Sequence, residues 1–274
     1  MGGIDGHLAR ATALRLPGDY VPLVMGGARV GFVRPAVAAR IGPVAAGVVA
    51  LADGAALLRA QAALAAEGLV RLRGEAFDVR ARPDGPVLGQ VDRGALPVFG
   101  IEAQGVHVNG LVRGQDGWSI WVARRSRDKA LDAGKLDHVV AGGICAGMDA
   151  AGTLVKEAAE EASVPAGLAR GALAAGRLGY AIARAEGLRR DVLHCYDLVL
   201  PRDFVPVPRD GEVEGFTLMP VRAVLARVRD SEDFKFNVSL VLIDLFARMG
   251  LVAPGAALDR IRLGGTRAFP PKAP

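Results

Sequence analysis

The 274-residue chain predicts an α+β fold. Strand and helix signals are mixed along it, without the regular alternation of a doubly wound sheet. Short apolar runs end at glycine-rich turns, as hairpin strands do, and Ala- and Leu-rich helical stretches fall between them. Hydrophobic residues make up 51% of the chain and charged residues 23%, so a sizeable core can be buried and global disorder is excluded.

Residues 20–35, YVPLVMGGARVGFVRP, read as a hairpin turning at Gly26 and Gly27. Residues 36–41 read as a short helix. Residues 52–67 read as a longer one, rich in Ala and Leu and stopped by Gly68. A strand over 77–81 precedes the turn-rich RPDGP. Pro and Gly cluster over 82–97 and hydrophobic density then rises, which divides the chain into a smaller α+β domain, 1–95, and a main domain, 96–274. The main domain opens with strands over 98–113 and 118–126, joined by a QDG turn. LDHVVAGGICAG, residues 136–147, carries an apolar strand into Gly142 and Gly143. A helix then covers 153–162, capped by Asp149 or Thr153 and limited by Pro165. A strand over 191–200, the segment EVEGFTLMP at 212–220, and helices over 221–228 and 236–249 follow.

The formal charge of +5 steers phosphorylated small molecules as readily as nucleic acid. No long basic run is present, and two Trp and three Tyr, widely spaced, offer no stacking platform, so no nucleic-acid partner is expected. Cys145 and Cys195 lack the pattern of a disulfide scaffold or a zinc site, which suits a reducing cytoplasm. The first twenty residues carry no signal-peptide pattern, and no run of about 20 apolar residues spans a bilayer. The expectation is a cytoplasmic protein with no membrane partner, a monomer or homodimer.

The segment TLVKEAAEEA, 153–162, concentrates chemistry. Glu157 and Glu161 are one helical turn apart and Glu160 is three residues from Glu157, so the carboxylates share one face. Like charges there repel, and a hard divalent cation such as Mg²⁺ relieves the repulsion. A solvated acidic face paired with Lys156 is the competing reading. The preceding strand and its Gly142–Gly143 end tilt the balance: unhindered backbone beside a helix start can complete a metal shell or face phosphate.

From Gly142 onward the spacing resembles the signature of the Nudix hydrolases: Gly, five residues, Glu, seven residues, Arg-Glu-apolar-any-Glu-Glu-any-Gly-apolar. Gly142, Glu157, Glu160, Glu161 and Val164 match; Met148, Lys156 and Ser163 replace Glu, Arg and Gly. Lysine keeps the charge but not the bidentate fork. GVHVNG, WVARRS, LDHVVAGGICAG, YDLVLP, DGEVEGFTLMP and FKFNVSLVLIDLFARMG, in that order, are similar to one subgroup. It carries an extra N-terminal domain and is related to the Nudix half of bifunctional thiamine pyrophosphokinases.

The resemblance implies a Nudix α/β/α sandwich with a smaller N-terminal domain. It implies metal-dependent hydrolysis of a diphosphate linkage, with Mg²⁺, or Mn²⁺, held by Glu157, Glu160 and Glu161. Thiamine diphosphate or its oxidised analogues, cleaved to the monophosphate, are the substrates of some relatives; nucleotides and nucleotide sugars are the alternative, and a catalytically silent binding module a further one. A later acidic residue commonly joins such sites, and between Glu212 and Glu214, two apart on one strand face, Glu214 is favoured as catalytic. Gly142 and Gly143 are the candidate phosphate loop. Arg124, with Arg125, Lys129 and Lys135, is a candidate for phosphate neutralisation. His107 lines the pocket or serves as a hydrogen-bonded structural histidine, with Asn109 on its face.

Overall fold

Gly26 and Gly27, at φ 56° and 82°, turn the first hairpin in the left-handed region where glycine carries no steric cost. The computed structural model describes residues 3–128, 131–209 and 211–269. Helix α1 (Ile4–Thr12) is followed by β1 (Val21–Met25), β2 (Ala28–Val33), α2 (Pro35–Ile41), β3 (Val44–Ala45), β4 (Val48–Leu51) and α3 (Gly54–Ala66). The strands form a sheet in the order β2-β1-β4-β3. Asp53 caps α3 by accepting the amide of Ala56 at 2.8 Å. The hairpin of β5 (Ala76–Val79) and β6 (Gly89–Asp92) stands beside this sheet. Leu23, Val49, Leu57, Leu64, Phe77 and Val91 share one buried cluster, which continues to Phe99 and Ile101.

Helix α4 (Leu96–Phe99) leads into the larger part: β7 (Glu102–Arg113), β8 (Trp118–Arg125), β9 (Leu136–His138), β10 (Val140–Gly143), α5 (Ala150–Ala162), α6 (Ala166–Ala169), β11 (Leu173–Arg184), β12 (Gly187–Val199), β13 (Val213–Pro220), α7 (Val221–Asp230), α8 (Phe236–Arg248) and α9 (Ala256–Ile261). Strand order is β11-β12-β7-β8-β13, with β10 added on β7 and β9 on β8. The β12–β7 pair is parallel and its neighbours are antiparallel. On one face Val106, Val108, Val140 and Leu198 pack with Leu154 and Ala158 of α5. On the other Leu111, Ile120 and Leu193 pack with Leu240 and Phe246 of α8 and with α7 and α9. Helix, sheet, helix: this is the α/β/α sandwich that the resemblance implies.

Helix α1 belongs to the second of these layers. Its Leu8 and Ala11 enter the α8 cluster, and His7 Nε2 pairs with the Val228 carbonyl at 3.1 Å. Under α8 runs a buried polar chain. Asn109 donates to Asp197 at 2.9 Å, Arg248 joins Asp197 to Asp244 at 2.6 and 2.8 Å, and Arg262 donates to Asp244 at 2.9 Å. One expectation is revised: the strand expected over 98–113 begins only at Glu102, because residues 98 and 99 end a short helix that Gly100 at φ 55° closes. Strand β11 was hidden by its Ala- and Gly-rich sequence, LAAGRLGYAIAR, whose strand identity comes from pairing along β12.

Candidate active site

Helix α5 starts where Asp149 accepts the amide of Gly152 at 2.7 Å, so Asp149 rather than Thr153 is the cap. Its polar stripe points at β10. Glu161 is buried, and its Oε2 accepts the amide of Ala141 at 2.8 Å. Glu157 lies over Gly142: a Cβ on that glycine would fall 2.8 Å from Glu157 Oε2. Glu160 is half exposed. Lys156 Nζ donates to Glu157 Oε1 at 3.0 Å and to Glu160 Oε2 at 2.7 Å, so the lysine bridges two of the three carboxylates. These contacts raise the Lys156 pKa. Ser163, where the signature has glycine, ends the helix at φ 54°, and its hydroxyl donates to the Val207 carbonyl at 2.8 Å.

Burial pushes the Glu161 carboxyl well above its ordinary range, and the charges of Asp137, Glu157 and Glu212 push it further. Burial therefore favours the neutral carboxyl, and its ionisation calls for a counter-charge. Glu157 and Glu161 bring carboxylate oxygens to a strand end that only glycine permits, a donor type that suits a hard divalent cation, while Glu160 stands further out on Lys156 and the three do not close into one ligand group. Glu157, Glu160 and Glu161 are the residues that would hold it.

Four amides of the loop between β10 and α5 are engaged within the protein. Ile144 donates to the Gln104 carbonyl at 2.9 Å, Ala146 to the Ala76 carbonyl at 2.8 Å, Gly147 to Asp78 Oδ2 at 3.3 Å and Met148 to the Cys145 carbonyl at 3.1 Å. Gly142 and Gly143 are instead explained by close approach: Glu157 covers the first, and Phe77 Cζ would lie 2.7 Å from a Cβ on the second.

Glu212 and Glu214 do not share a regular strand face, because the register of β13 against β8 shifts between Val213 and Gly215. Glu214 accepts the amide of Arg127 at 3.1 Å, whereas Glu212 is the one whose charge bears on Glu161. Arg124 is exposed and donates to the Gly134 carbonyl at 2.8 Å; Arg125 turns to Asp137 at 2.9 Å. Lys129 lies outside the described residues.

His107 points away from α5, to the α8 face. It is buried, with Nδ1 3.0 Å from His138 Nδ1 and Nε2 3.3 Å from Asn237 Nδ2. Ligand atoms of His107, Asp137 and His138 lie within 4.8 Å of one another, a grouping that the spacing of separate strands conceals in the sequence. Arg125 and Lys235, at 2.9 and 3.5 Å, already flank Asp137, so a divalent ion there would meet two cations. Although burial opposes its charge, Lys235, His107 and Arg125 hold the Asp137 carboxyl well below its usual range. Burial lowers both histidines, His138 to about 4. A neutral histidine pair beside a twice-countered aspartate is a structural network.

A two-layered helix cover on a mixed sheet, with a glutamate helix locked on a glycine strand end, defines a sandwich of the Nudix class. The chain is 43% identical over 183 residues to Nudix hydrolase 20, chloroplastic, of Arabidopsis thaliana, across 67% of this chain and 49% of that protein. It is 42% identical over 183 residues to Nudix hydrolase 24, chloroplastic, of the same plant, across 67% and 50%. A crystal structure of a NUDIX hydrolase from Alicyclobacillus acidocaldarius aligns with a TM-score of 0.42 at 15% identity, over 60% of this chain and 98% of that one. No family model matches the chain. The chain belongs to the Nudix hydrolase family, and it spans about half the length of the curated relatives it matches. Among the described residues no helix is long and apolar enough to cross a membrane.

Proposed function

We propose that this chain hydrolyses a diphosphate linkage in a small molecule, using Mg²⁺ or Mn²⁺ held by Glu157, Glu160 and Glu161. The observation that carries the reading is the convergence of two glutamates on one strand end: Glu161 on the Ala141 amide and Glu157 on Gly142. A bound ion would neutralise diphosphate oxygens and polarise the reacting phosphorus. The chain itself orients the carboxylates, with Glu161 fixed by backbone and Glu160 open to solvent. A carboxylate of this set accepts the proton of the attacking water. For the later acid Glu212 is preferred over Glu214, supported by the charge of Glu212 at Glu161.

With the amides of Ile144, Ala146, Gly147 and Met148 engaged internally, the substrate's negative charge is met chiefly by the ion and by basic side chains. Thiamine diphosphate and its oxidised analogues are the proposed substrates, on the strength of the subgroup resemblance; the accessory domain is assigned to residues 1–95 apart from α1, which packs into the hydrolase sandwich formed by 96–274. Free Cys145 and Cys195 support a reducing compartment such as the cytoplasm.

The test is phosphate release, with Mg²⁺ or with chelator, from thiamine diphosphate, its oxo analogue, ADP-ribose and dinucleoside polyphosphates. Wild type is compared with Glu157→Gln. Metal-dependent turnover abolished by the substitution supports the hydrolase, and the preferred substrate decides between the thiamine and nucleotide classes. Ligand binding without turnover on the whole panel would replace the enzyme with a binding module.

A further inference from the structure

The loop that delivers α5 is held from outside its own sandwich. Strand β5, whose Phe77 is buried in the N-terminal cluster, reaches it at three successive residues. The Ala76 carbonyl accepts the amide of Ala146 at 2.8 Å. The Phe77 ring stands over Gly143, leaving no room for a side chain there. Asp78 Oδ2 accepts the amide of Gly147 at 3.3 Å. Asp78 is in turn held by Arg80 at 3.2 Å, and its side chain is largely buried. Gln104 adds a second hold: its carbonyl accepts the Ile144 amide, and its Nε2 donates to the Pro83 carbonyl at 2.9 Å.

The same strip lies close to the glutamates. Cys145 feels the charges of Glu75 and Arg93 from the N-terminal hairpin and those of Lys156 and Glu157 from α5. Glu75 and Arg93 pair at 2.9 Å on the hairpin. The loop is therefore clamped between the two, and Gly142, on which Glu157 rests, adjoins Gly143, on which Phe77 rests.

We propose that Phe77 and Asp78 are positioning residues for the diphosphate site, so that the N-terminal domain is a working part of that site. The proposal rests on the glutamate-held metal site proposed above. Phe77 sets the height of Gly143, and hence of Gly142 beneath Glu157. Asp78 closes the far end of the loop one residue before Met148 and so sets where α5 begins.

The experiment uses the full chain with Asp78→Ala, Asp78→Asn and Phe77→Leu. Mn²⁺ alone is the probe of the glutamate site, followed by electron paramagnetic resonance, and amide exchange is read on residues 143–149 and on α8. Expected for Asp78→Ala and Phe77→Leu is loop exchange at least about 10-fold faster with α8 unchanged, and Mn²⁺ affinity weaker by about 10-fold, the scale of losing an outer-shell support. Asp78→Asn, which keeps an acceptor oxygen, recovers most of the affinity. Unchanged loop exchange and Mn²⁺ affinity in all variants would overturn the positioning role. So would exchange that accelerates equally in loop and α8, which marks a merely structural residue. Wild type that fails to bind Mn²⁺ would remove the metal site itself, and this proposal with it. Wild type that binds Mn²⁺ yet hydrolyses no diphosphate, with the variants behaving as expected, would overturn the hydrolase reading alone.

Discussion

Gly142 and Glu157 occupy adjoining space: a Cβ on the glycine would fall 2.5 Å from Glu157 Cδ and 2.8 Å from its Oε2. Real Cβ atoms do not approach so closely, so the carboxylate must move if the glycine gains a side chain. Gly142→Ala is expected to lower metal-dependent kcat/KM by about 100-fold through misplacement of Glu157, while overpacking costs about 1–3 kcal/mol of stability. Steady-state kinetics across a Mg²⁺ titration, beside a urea melt, separate the two effects. An alanine variant with wild-type kinetics would show that Glu157 is free to act from another position.

Glu161→Gln separates stability from activity. The amide oxygen of glutamine still accepts the Ala141 N–H, but the anion is gone. A carboxyl whose folded pKa is raised contributes stability that is complete below the ordinary value of 4.5 and lost as pH rises through the folded value. Removing the charge removes that loss. The metal-free variant is expected to melt at or above wild type at pH 8, while turnover falls by about 100-fold or more. A variant both inactive and unstable at pH 8 would instead assign Glu161 a mainly structural role.

His138 has the opposite pH signature. Burial holds its folded pKa near 4 against an ordinary 6.5, so the fold favours the neutral ring. Its contribution is complete above 6.5 and is lost as pH falls towards 4, by about 3 kcal/mol over the window. Urea unfolding of wild type and His138→Gln at pH 7.5 and pH 4.5 reads this as a difference, in which the Glu161 contribution cancels. Equal pH slopes in the two proteins would contradict the neutral buried pair.

Arg248→Met tests the polar chain under α8. The arginine side chain is 3% exposed and separates Asp197 and Asp244, themselves at 0% and 2%. Its loss leaves two buried carboxylates under-compensated, at a cost of about 3–5 kcal/mol. Adding Asp197→Asn, which removes one of those charges, should recover part of it. A loss below about 1 kcal/mol in denaturant melts would show that Asn109 at Asp197 and Arg262 at Asp244 suffice to balance the two carboxylates.

What the sequence discloses is what local chemistry decides. Gly26–Gly27 demands a turn, Asp149 or Thr153 and Pro165 bracket a helix, and the spacing of Glu157, Glu160 and Glu161 places them together on it. Strand β11 escapes because Ala and Gly carry little strand preference, and only β12 beside it makes LAAGRLGYAIAR extended. The divergence of Glu212 and Glu214 depends on a bulge, which alternation cannot register. Phe77 and Asp78 look like ordinary members of a short strand; their bearing on the loop of Gly143 and Gly147 arises from contacts made by residues more than sixty positions apart in the chain. Likewise His107 meets His138 and Asn237 only after three elements converge, so neither its partners nor its side of the sheet is written locally.

Helix α1 has a seat shared with α8 and α9, and Arg260 of α9 donates to Thr12, 248 residues away, at 3.2 Å. Synthesis separates the first of these elements from the last by this stretch of chain. At roughly 5–20 residues per second, α1 waits on the order of 10–50 seconds before its neighbours leave the ribosome. Through most of that interval Leu8 and Ala11 lack their full native cover, which makes the α1 seat a late-sealed seam of the sandwich.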